Sequence, residues 1–382
     1  MAAVPRIRLD RHELAGSVAD VGVLVPIAAA LIVSNGLSAT AVLLPAALLY
    51  VAAGLVYRLP VPVQPLKAFG AIAIAQGLGA DAIAAGALLM GAIFLTLGQA
   101  GLIDRAAKAF PRALIRGVQL CVGLLFLKIA WGLVHDPPKA FTEHALDPGA
   151  AIPLAGAFLV VALLFRRHLV ALILVSVGLV VAVGQSAGDL AYGPSALALP
   201  SLSWEVVGTA LTVLVLPQLP LSFANSCVAT ADAARSYFGD AAERVKAGRL
   251  ASTLGAANLL SGAIAGMPVC HGAGGMTAHR AFGARTGGAP LFMGGVLLVL
   301  ALGLGAGMAT LLAAFPLPVL AAMLAAAGIM HLGLLRDLRG AREWALALLV
   351  GALGVTVNLA VGLTAGLLLW WLPTLLRRLQ PA

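Results

Sequence analysis

Two short stretches of this 382-residue chain combine proline, glycine and polar side chains in a pattern suited to holding a charged ligand. The first is Pro62-Val63-Gln64-Pro65, followed by Lys67 and Ala68. The second is Pro268-Val269-Cys270-His271, followed by Gly272, Gly274 and Gly275. Proline lacks an N–H and disfavours helix in the residue before it. Each tetrad is therefore expected to be extended, with a helix starting just beyond it. A helix start carries free N–H groups and the positive end of the macrodipole, which together attract an anion. Lys67 falls in the first turn of such a helix, where a cation is unfavourable to the helix itself; it fits there if an anion shares the space, or if it snorkels to the membrane surface. Gln64 adds a neutral donor and acceptor. The glycines would let backbone amides approach a ligand closely. His271 could donate to an oxyanion, relay a proton, or tie helices together. The glycine run lacks the Gly-Lys-Ser/Thr of a phosphate loop.

Other polar residues stand inside apolar segments. Asp20 is the clearest, and a carboxylate at membrane depth suggests cation or proton coupling by default. Glu13 at the start of the same segment and Asp232 near the end of another are further candidates for ion coupling. Gln218 and Asn225 are seven residues apart and share a helical face with Ser222, so they could line the site or bond to neighbouring helices. Cys121, Cys227 and Cys270 form no CxxC pair and no zinc spacing, so they read as small apolar residues. With neither a metal set nor a nucleophile–base–orienter constellation, no metal, no cofactor and no catalytic residue is expected.

These residues need a scaffold, and the composition says which. Hydrophobic residues make up 61% of the chain and charged residues 10%, against about 25% charged in soluble domains. The bilayer is the solvent such a chain fits. The 44 glycines suit close helix packing within it. Apolar segments lie at 17–34, 38–57, 61–77, 82–103, 112–132, 151–165, 168–185, 205–231, 249–266, 268–279, 288–308, 315–333, 343–356 and 357–375, which gives an all-α polytopic membrane protein of about 14 transmembrane segments. With the N-terminus in the cytoplasm, this count places 21 of the 24 Lys and Arg residues on the cytoplasmic side, including the pairs Arg166–Arg167 and Arg377–Arg378. The net charge of +9 thus reads as topology rather than as a nucleic-acid surface. The domain reading is a cytoplasmic segment 1–16, a first repeat 17–185, a periplasmic connection 186–203, a second repeat 204–375 and a cytoplasmic tail 376–382. No cleavable signal is evident.

Fourteen segments divide into seven and seven, and an odd number inverts the second half. The two tetrads open the third segment of each half. Asp20 precedes Pro62 by 42 residues and Asn225 precedes Pro268 by 43. Paired, Pro-interrupted short spans in matching places point to the binding site of a secondary transporter.

The segments Glu13-Leu-Ala-Gly-Ser-Val-Ala-Asp20-Val-Gly22, Pro62-Val-Gln-Pro-Leu-Lys67-Ala, Pro217-Gln-Leu-Pro-Leu221 with Asn225-Ser226, and Pro268-Val-Cys-His-Gly-Ala-Gly-Gly275 through Phe282-Gly-Ala-Arg285-Thr-Gly287 resemble the molybdate transporter family related to the sulfate permeases. The resemblance covers most of the chain in order. It implies a seven-plus-seven fold with a core domain (spans 1–4 and 8–11) and a gate domain (spans 5–7 and 12–14). It also implies an oxyanion site between the third and tenth spans, and import of molybdate across a bacterial-type inner membrane by proton or sodium symport with elevator-type alternating access. The residues carried over as substrate-binding are Gln64, Lys67, Ala68, Gln218, Asn225, Cys270, His271, Gly272, Gly274 and Gly275; those for ion coupling are Asp20, Glu13 and Asp232. A homodimer is left open. A sulfate transporter of the same fold is the nearest rival, ahead of an anion channel, a nucleobase permease, whose site would want carboxylates on the eighth and tenth spans, and an intramembrane enzyme.

Overall fold

The computed structural model describes residues 6–108, 111–164, 169–186, 188, 190–357 and 359–379. A helix falls in each of the fourteen apolar segments. First come α1 (Arg11–Ser17), a tight turn and α2 (Val21–Val33), followed by α3 (Ala39–Tyr57). Then come strand β1 (Gln64–Pro65), α4 (Lys67–Ala75), α5 (Ala80–Gln99), α6 (Leu102–Lys108), α7 (Arg112–His135), α8 (Pro148–Leu164) and α9 (Leu169–Ser186). The second half contains α10 (Trp204–Thr209), α11 (Leu216–Leu221), α12 (Thr230–Phe238) and α13 (Ala247–Ala263). It continues with strand β2 (Val269–Cys270), α14 (Ala273–Ala281), α15 (Gly288–Gly303), α16 (Met308–Ala313), α17 (Leu317–Gly333), α18 (Gly340–Thr356) and α19 (Leu359–Leu379).

Among the described residues, five helices are long and apolar enough on their own to cross a membrane, and two bent pairs raise the number to seven. The charge pair Arg166–Arg167 and the last residues of the tail lie outside the described residues. The helix after 61 starts only at Lys67 and the one after 268 only at Ala273, because the prolines hold the tetrads extended. Both helices are nine residues long. At 1.5 Å per residue each rises about 14 Å, roughly half the hydrocarbon thickness. Four helices, α1, α6, α12 and α16, lie almost wholly outside the expected segments; α16 follows a 79° break at Gly305–Gly307, in a glycine-rich stretch where the backbone passes against Thr40 and Ser195. The stretches Ala210–Val215 and Ser222–Ala229 are π-helical. They flank Pro217 and Pro220, which carry no N–H for the helical ladder.

The helices pack in two groups. In one, α5 lies along α13 and α3 along α15, with α2 against α3 and α4 and with α14 against α1 and α12; in the other, α7 lies along α17 and α18, with α8 against α17 and α19 against α18. Small residues set the close approaches. A side chain at Gly91 or Gly255 would run into the backbone of the facing helix, and one at Gly123 or Gly328 would do so between α7 and α17.

The two strands pair with each other, antiparallel, with Gln64 opposite Cys270 and Pro65 opposite Val269. Extended backbone inside an apolar bundle must find every hydrogen bond within the protein. The Leu66 N–H donates to the Pro268 carbonyl at 3.1 Å. The carboxamide of Asn258 on α13 acts as a third strand: Nδ2 donates to the Val269 carbonyl at 2.9 Å, and Oδ1 accepts from the Val269 N–H at 2.7 Å. The pairing sets the starts of α4 and α14 side by side.

The connection 190–203 is fastened to the end of the bundle where α3 and α5 begin. Ser195 bonds to Ser38 and Thr40, and the Ser201 N–H donates to Asp81. Leu199 stands 84% exposed there, while all three cysteines are buried. A Leu199→Cys variant in intact cells is expected to react with an impermeant thiol reagent from outside, over a low native background. Labelling only after lysis would contradict the outside placement of this connection.

Candidate functional site

At the paired helix starts, neither α4 nor α14 has a side-chain cap from its own N-cap residue, Leu66 or Gly272. The third amide of α4 is taken: the Phe69 N–H donates to Gln218 Oε1 at 2.9 Å, and Gln218 Nε2 donates to Ser222 at 3.0 Å. Gln218 thus spends its carboxamide on fixing α4. The amides of Lys67 and Ala68 on one side, and of Ala273, Gly274 and Gly275 on the other, form the open ends of the two half-helices.

Lys67 is 4% exposed. Its Nζ donates to Gln64 Oε1 at 2.6 Å and lies 5.8 Å from the centre of the Phe126 ring. Among the described residues it makes no ion pair. Gln64 turns its other end to Asp20, with Nε2 donating to Oδ1 at 2.5 Å. Asp20 is fully buried and accepts two further bonds on Oδ2, from the Tyr50 hydroxyl at 2.7 Å and from His279 Nε2 at 2.7 Å. Asp20 therefore fixes which way the Gln64 carboxamide faces, and through it the ammonium. The carboxylate pairs with His279 and not with Lys67.

Asn225 reaches the same place from the π-helical stretch. It is 1% exposed and its Oδ1 is buried without a hydrogen-bond partner. The Thr230 hydroxyl donates to the Asn225 carbonyl at 2.8 Å. A methyl group built on Gly272 would stand 2.8 Å from Gln64 Oε1, 3.4 Å from Asn225 Nδ2 and 3.4 Å from Lys67 Nζ. On Gly275 it would meet Asp20 Oδ1 and Gln64 Nε2, each at 2.5 Å. These glycines bring the backbone of α14 against the polar cluster.

Of the residues singled out in the sequence, Gln64, Lys67, Ala68, Asn225, Gly272, Gly274 and Gly275 come together at the helix starts, joined to Asp20. Cys270 lies alongside in β2, its thiol pointing to the Pro65 carbonyl at 3.4 Å. The remaining four stand apart from the open ends, Gln218 through its bonds to Phe69 and Ser222. His271 bonds through Nδ1 to the Pro62 carbonyl and through Nε2 to the Thr253 hydroxyl, both at 2.9 Å, so both ring nitrogens tie the tetrads to α13. The Glu13 carboxylate accepts the N–H groups of Arg285, Thr286 and Ala289, capping α15. Asp232 is exposed on α12, outside the cluster.

A family model described as "Molybdate transporter of MFS superfamily" matches residues 12–126 and 210–330, which include every residue of this cluster. The chain belongs to that molybdate transporter family. Curated relatives agree over nearly the whole length. Molybdate transporter 2 of Arabidopsis thaliana is 29% identical over 96% of this chain and 89% of its own. Molybdate transporter 1 of Chlamydomonas reinhardtii is 30% identical over 94% and 91%. Among solved structures, the transmembrane domain of the cyanobacterial bicarbonate transporter BicA aligns with a TM-score of 0.64 at 18% identity, covering 95% of this chain and 98% of that one. Murine Slc26a9, an anion transporter in the inward-facing state, aligns at 0.67 and 14% identity over 98% and 69%. These likenesses show the fold. The protein is a multi-pass membrane anion transporter and not an enzyme.

Several residues of the transporter's cluster were not singled out from the sequence: Tyr50, His279, Phe126 and the scaffold side chains Thr253 and Asn258. His279 carried a usable signal, an ionisable residue closing the tenth apolar segment. Tyr50 and Phe126 carried none, since aromatic residues inside apolar helices are ordinary core.

Filling the space at Gly272 is expected to abolish anion binding without unfolding the transporter. Gly272→Ala should lose binding by titration calorimetry while eluting as a single detergent-solubilised species. Gly132→Ala, at a position with open space, should bind as wild type does. Wild-type affinity in Gly272→Ala would contradict this placement.

Proposed function

We propose that this protein imports molybdate across the cytoplasmic membrane by cation symport, binding the anion between the starts of α4 and α14. The observation that carries this reading is Lys67, a buried ammonium with no ionic partner among the described residues, at the meeting of two helix N-termini. A buried unpaired charge is costly by several kcal/mol. A tetrahedral dianion there would pair with the ammonium, receive the open amides and meet two positive dipole ends. Sulfate has the same shape and charge, and the family membership favours molybdate.

The packing of the helices supports fourteen crossings in an inverted seven-plus-seven repeat, the group around α3, α5, α13 and α15 being the moving core and the group around α7 and α17 the gate. Short half-helices meeting near mid-depth suit an elevator in which the core carries the site past the gate. On this reading both termini are cytoplasmic. Asp20, hydrogen-bonded to Gln64 and paired with His279, stands where a coupling cation or proton would be felt by the anion ligands. Glu13 and Asp232 have no such link, so coupling is assigned to Asp20 and His279.

Titration of molybdate, with sulfate as competitor, tests the site. Losing a charge-assisted hydrogen bond costs about 1.5–3 kcal/mol, so Lys67→Ala should bind molybdate roughly ten- to a hundredfold more weakly. Gln64→Ala should lose less. Because the lone ammonium destabilises the empty protein, Lys67→Met should melt at or above the wild-type temperature without anion. Unchanged affinity in Lys67→Ala would remove the site's main charge. For coupling, Asp20→Asn should reduce concentrative uptake into proteoliposomes more than equilibrium binding; full accumulation by this variant would exclude Asp20 from coupling.

A further inference from the structure

The end of α14 away from the anion site carries an atom that anion binding does not use. His279 lies in the last turn of this helix and is fully buried. Its Nε2 meets Asp20 Oδ2 at 2.7 Å. A carboxylate can only accept, so Nε2 carries the hydrogen, and Nδ1 of the neutral ring is a lone pair. Nδ1 is buried and has no hydrogen-bond partner among the described residues. An unpaired buried acceptor is costly. Asp20, by contrast, is surrounded by donors: Gln64 Nε2 on Oδ1, and the Tyr50 hydroxyl and His279 on Oδ2.

We propose that the coupling ion is a proton and that its seat is Nδ1 of His279. This rests on the reading that coupling runs through Asp20 and His279. A transported sodium ion is held by oxygens turned toward it, such as the carbonyls of unwound backbone. Around Asp20 the neighbours turn N–H and O–H groups inward instead, and the backbone of Gly275 closes on Oδ1, where a methyl group would stand only 2.5 Å away. Protonating Asp20 itself would set the new O–H against one of those donors. Nδ1 can take a proton without disturbing any of these bonds. The imidazolium so formed stands beside a carboxylate and in the last turn of a helix, and both positions favour a cation. The proton comes from water on one side of the membrane, occupies the lone pair, and returns to water on the other side; no other bond is made or broken.

Charge links the proton to the anion. In the empty site the formal charges of the Lys67 ammonium and the Asp20 carboxylate sum to zero. A dianion adds two negative charges, and the imidazolium offsets one of them. Hydrogen bonds lead from His279 through Asp20 and Gln64 to the Lys67 ammonium, so the two sites share one connected network. The other titratable groups on elements packed against α14 stand apart from it. Arg11, His12, Asp232 and Arg235 are exposed. Glu13 caps α15, and Tyr237 bonds to Thr277 with Arg280 over its ring. His331 of α17 lies against Gly274, at the opposite end of the helix, and Cys227 is buried on the stretch Ser222–Ala229.

The test uses purified full-length protein without sodium. Molybdate is titrated by calorimetry in buffers of different ionisation heat, which counts the protons taken up with the anion. Wild type should take up a proton wherever the ring is neutral in the empty protein and charged in the loaded one. Over that range its affinity should fall as pH rises, by up to about tenfold per unit. In proteoliposomes an inward proton gradient should drive accumulation. His279→Gln still offers Asp20 an N–H but has no nitrogen to protonate. Its affinity should be weak and flat across the same range, matching wild type at the alkaline limit, and the proton gradient should no longer drive uptake. If wild type binds molybdate with no proton uptake, or accumulates it on a sodium gradient alone, the inference is overturned whatever the variant does. If His279→Gln keeps proton-driven accumulation while Asp20→Asn loses it, coupling through Asp20 stands and the proton sits elsewhere, which overturns this inference alone. If both variants keep it, the assignment of coupling to this pair falls as well.

Discussion

Lys67 holds its amino group almost out of reach of solvent, and Gln64 stands between it and the carboxylate of Asp20. The carboxamide passes orientation from the acid to the ammonium but does not cancel the charge. The same point is the positive end of two half-helices, so three sources of positive potential add where a protein interior least tolerates them. The strand pair, the Asn258 brace and the His271 tie give the extended backbone of the tetrads its hydrogen-bond partners. On the proposed reading, an anion supplies the missing partner.

Holding such a site requires close, stiff packing, which the chain achieves with small residues rather than with large apolar ones. Gly272 and Gly275 press α14 against Gln64, Asp20 and Lys67, and glycines along α5, α13, α7 and α17 bring the long helices together. Within each helix group these contacts interlock. Between the groups, Phe126 of α7 and His331 of α17 lie against the bare backbone of Gly274 on α14.

The sequence disclosed the parts of this arrangement that depend on backbone chemistry. Proline fixes local conformation wherever it stands, so Pro62, Pro65 and Pro268 announced the breaks and the helix starts, and Lys67 and Asp20 stood out because charge inside an apolar run is rare. Partner choice was not legible. Glu13 looked like an intramembrane acid but caps α15, whose amides lie some 270 residues away. His271 looked like a ligand but has both ring nitrogens engaged by α13 and Pro62. The Tyr50–Asp20–His279 cluster joins three segments distant in sequence, and no spacing rule relates them. A one-dimensional pattern reports what a residue costs where it stands; who compensates that cost is decided by the fold.

The most direct measurement of the central claim is to locate the anion itself. Tungstate has the shape and charge of molybdate and scatters strongly, so crystals of the protein grown with it give an anomalous difference map that needs no assumption about ligands. The account predicts one strong peak between the first turns of α4 and α14, within direct contact of Lys67 Nζ and of the amides at Ala273 to Gly275. A peak elsewhere, with Lys67 still bonded only to Gln64, would contradict it.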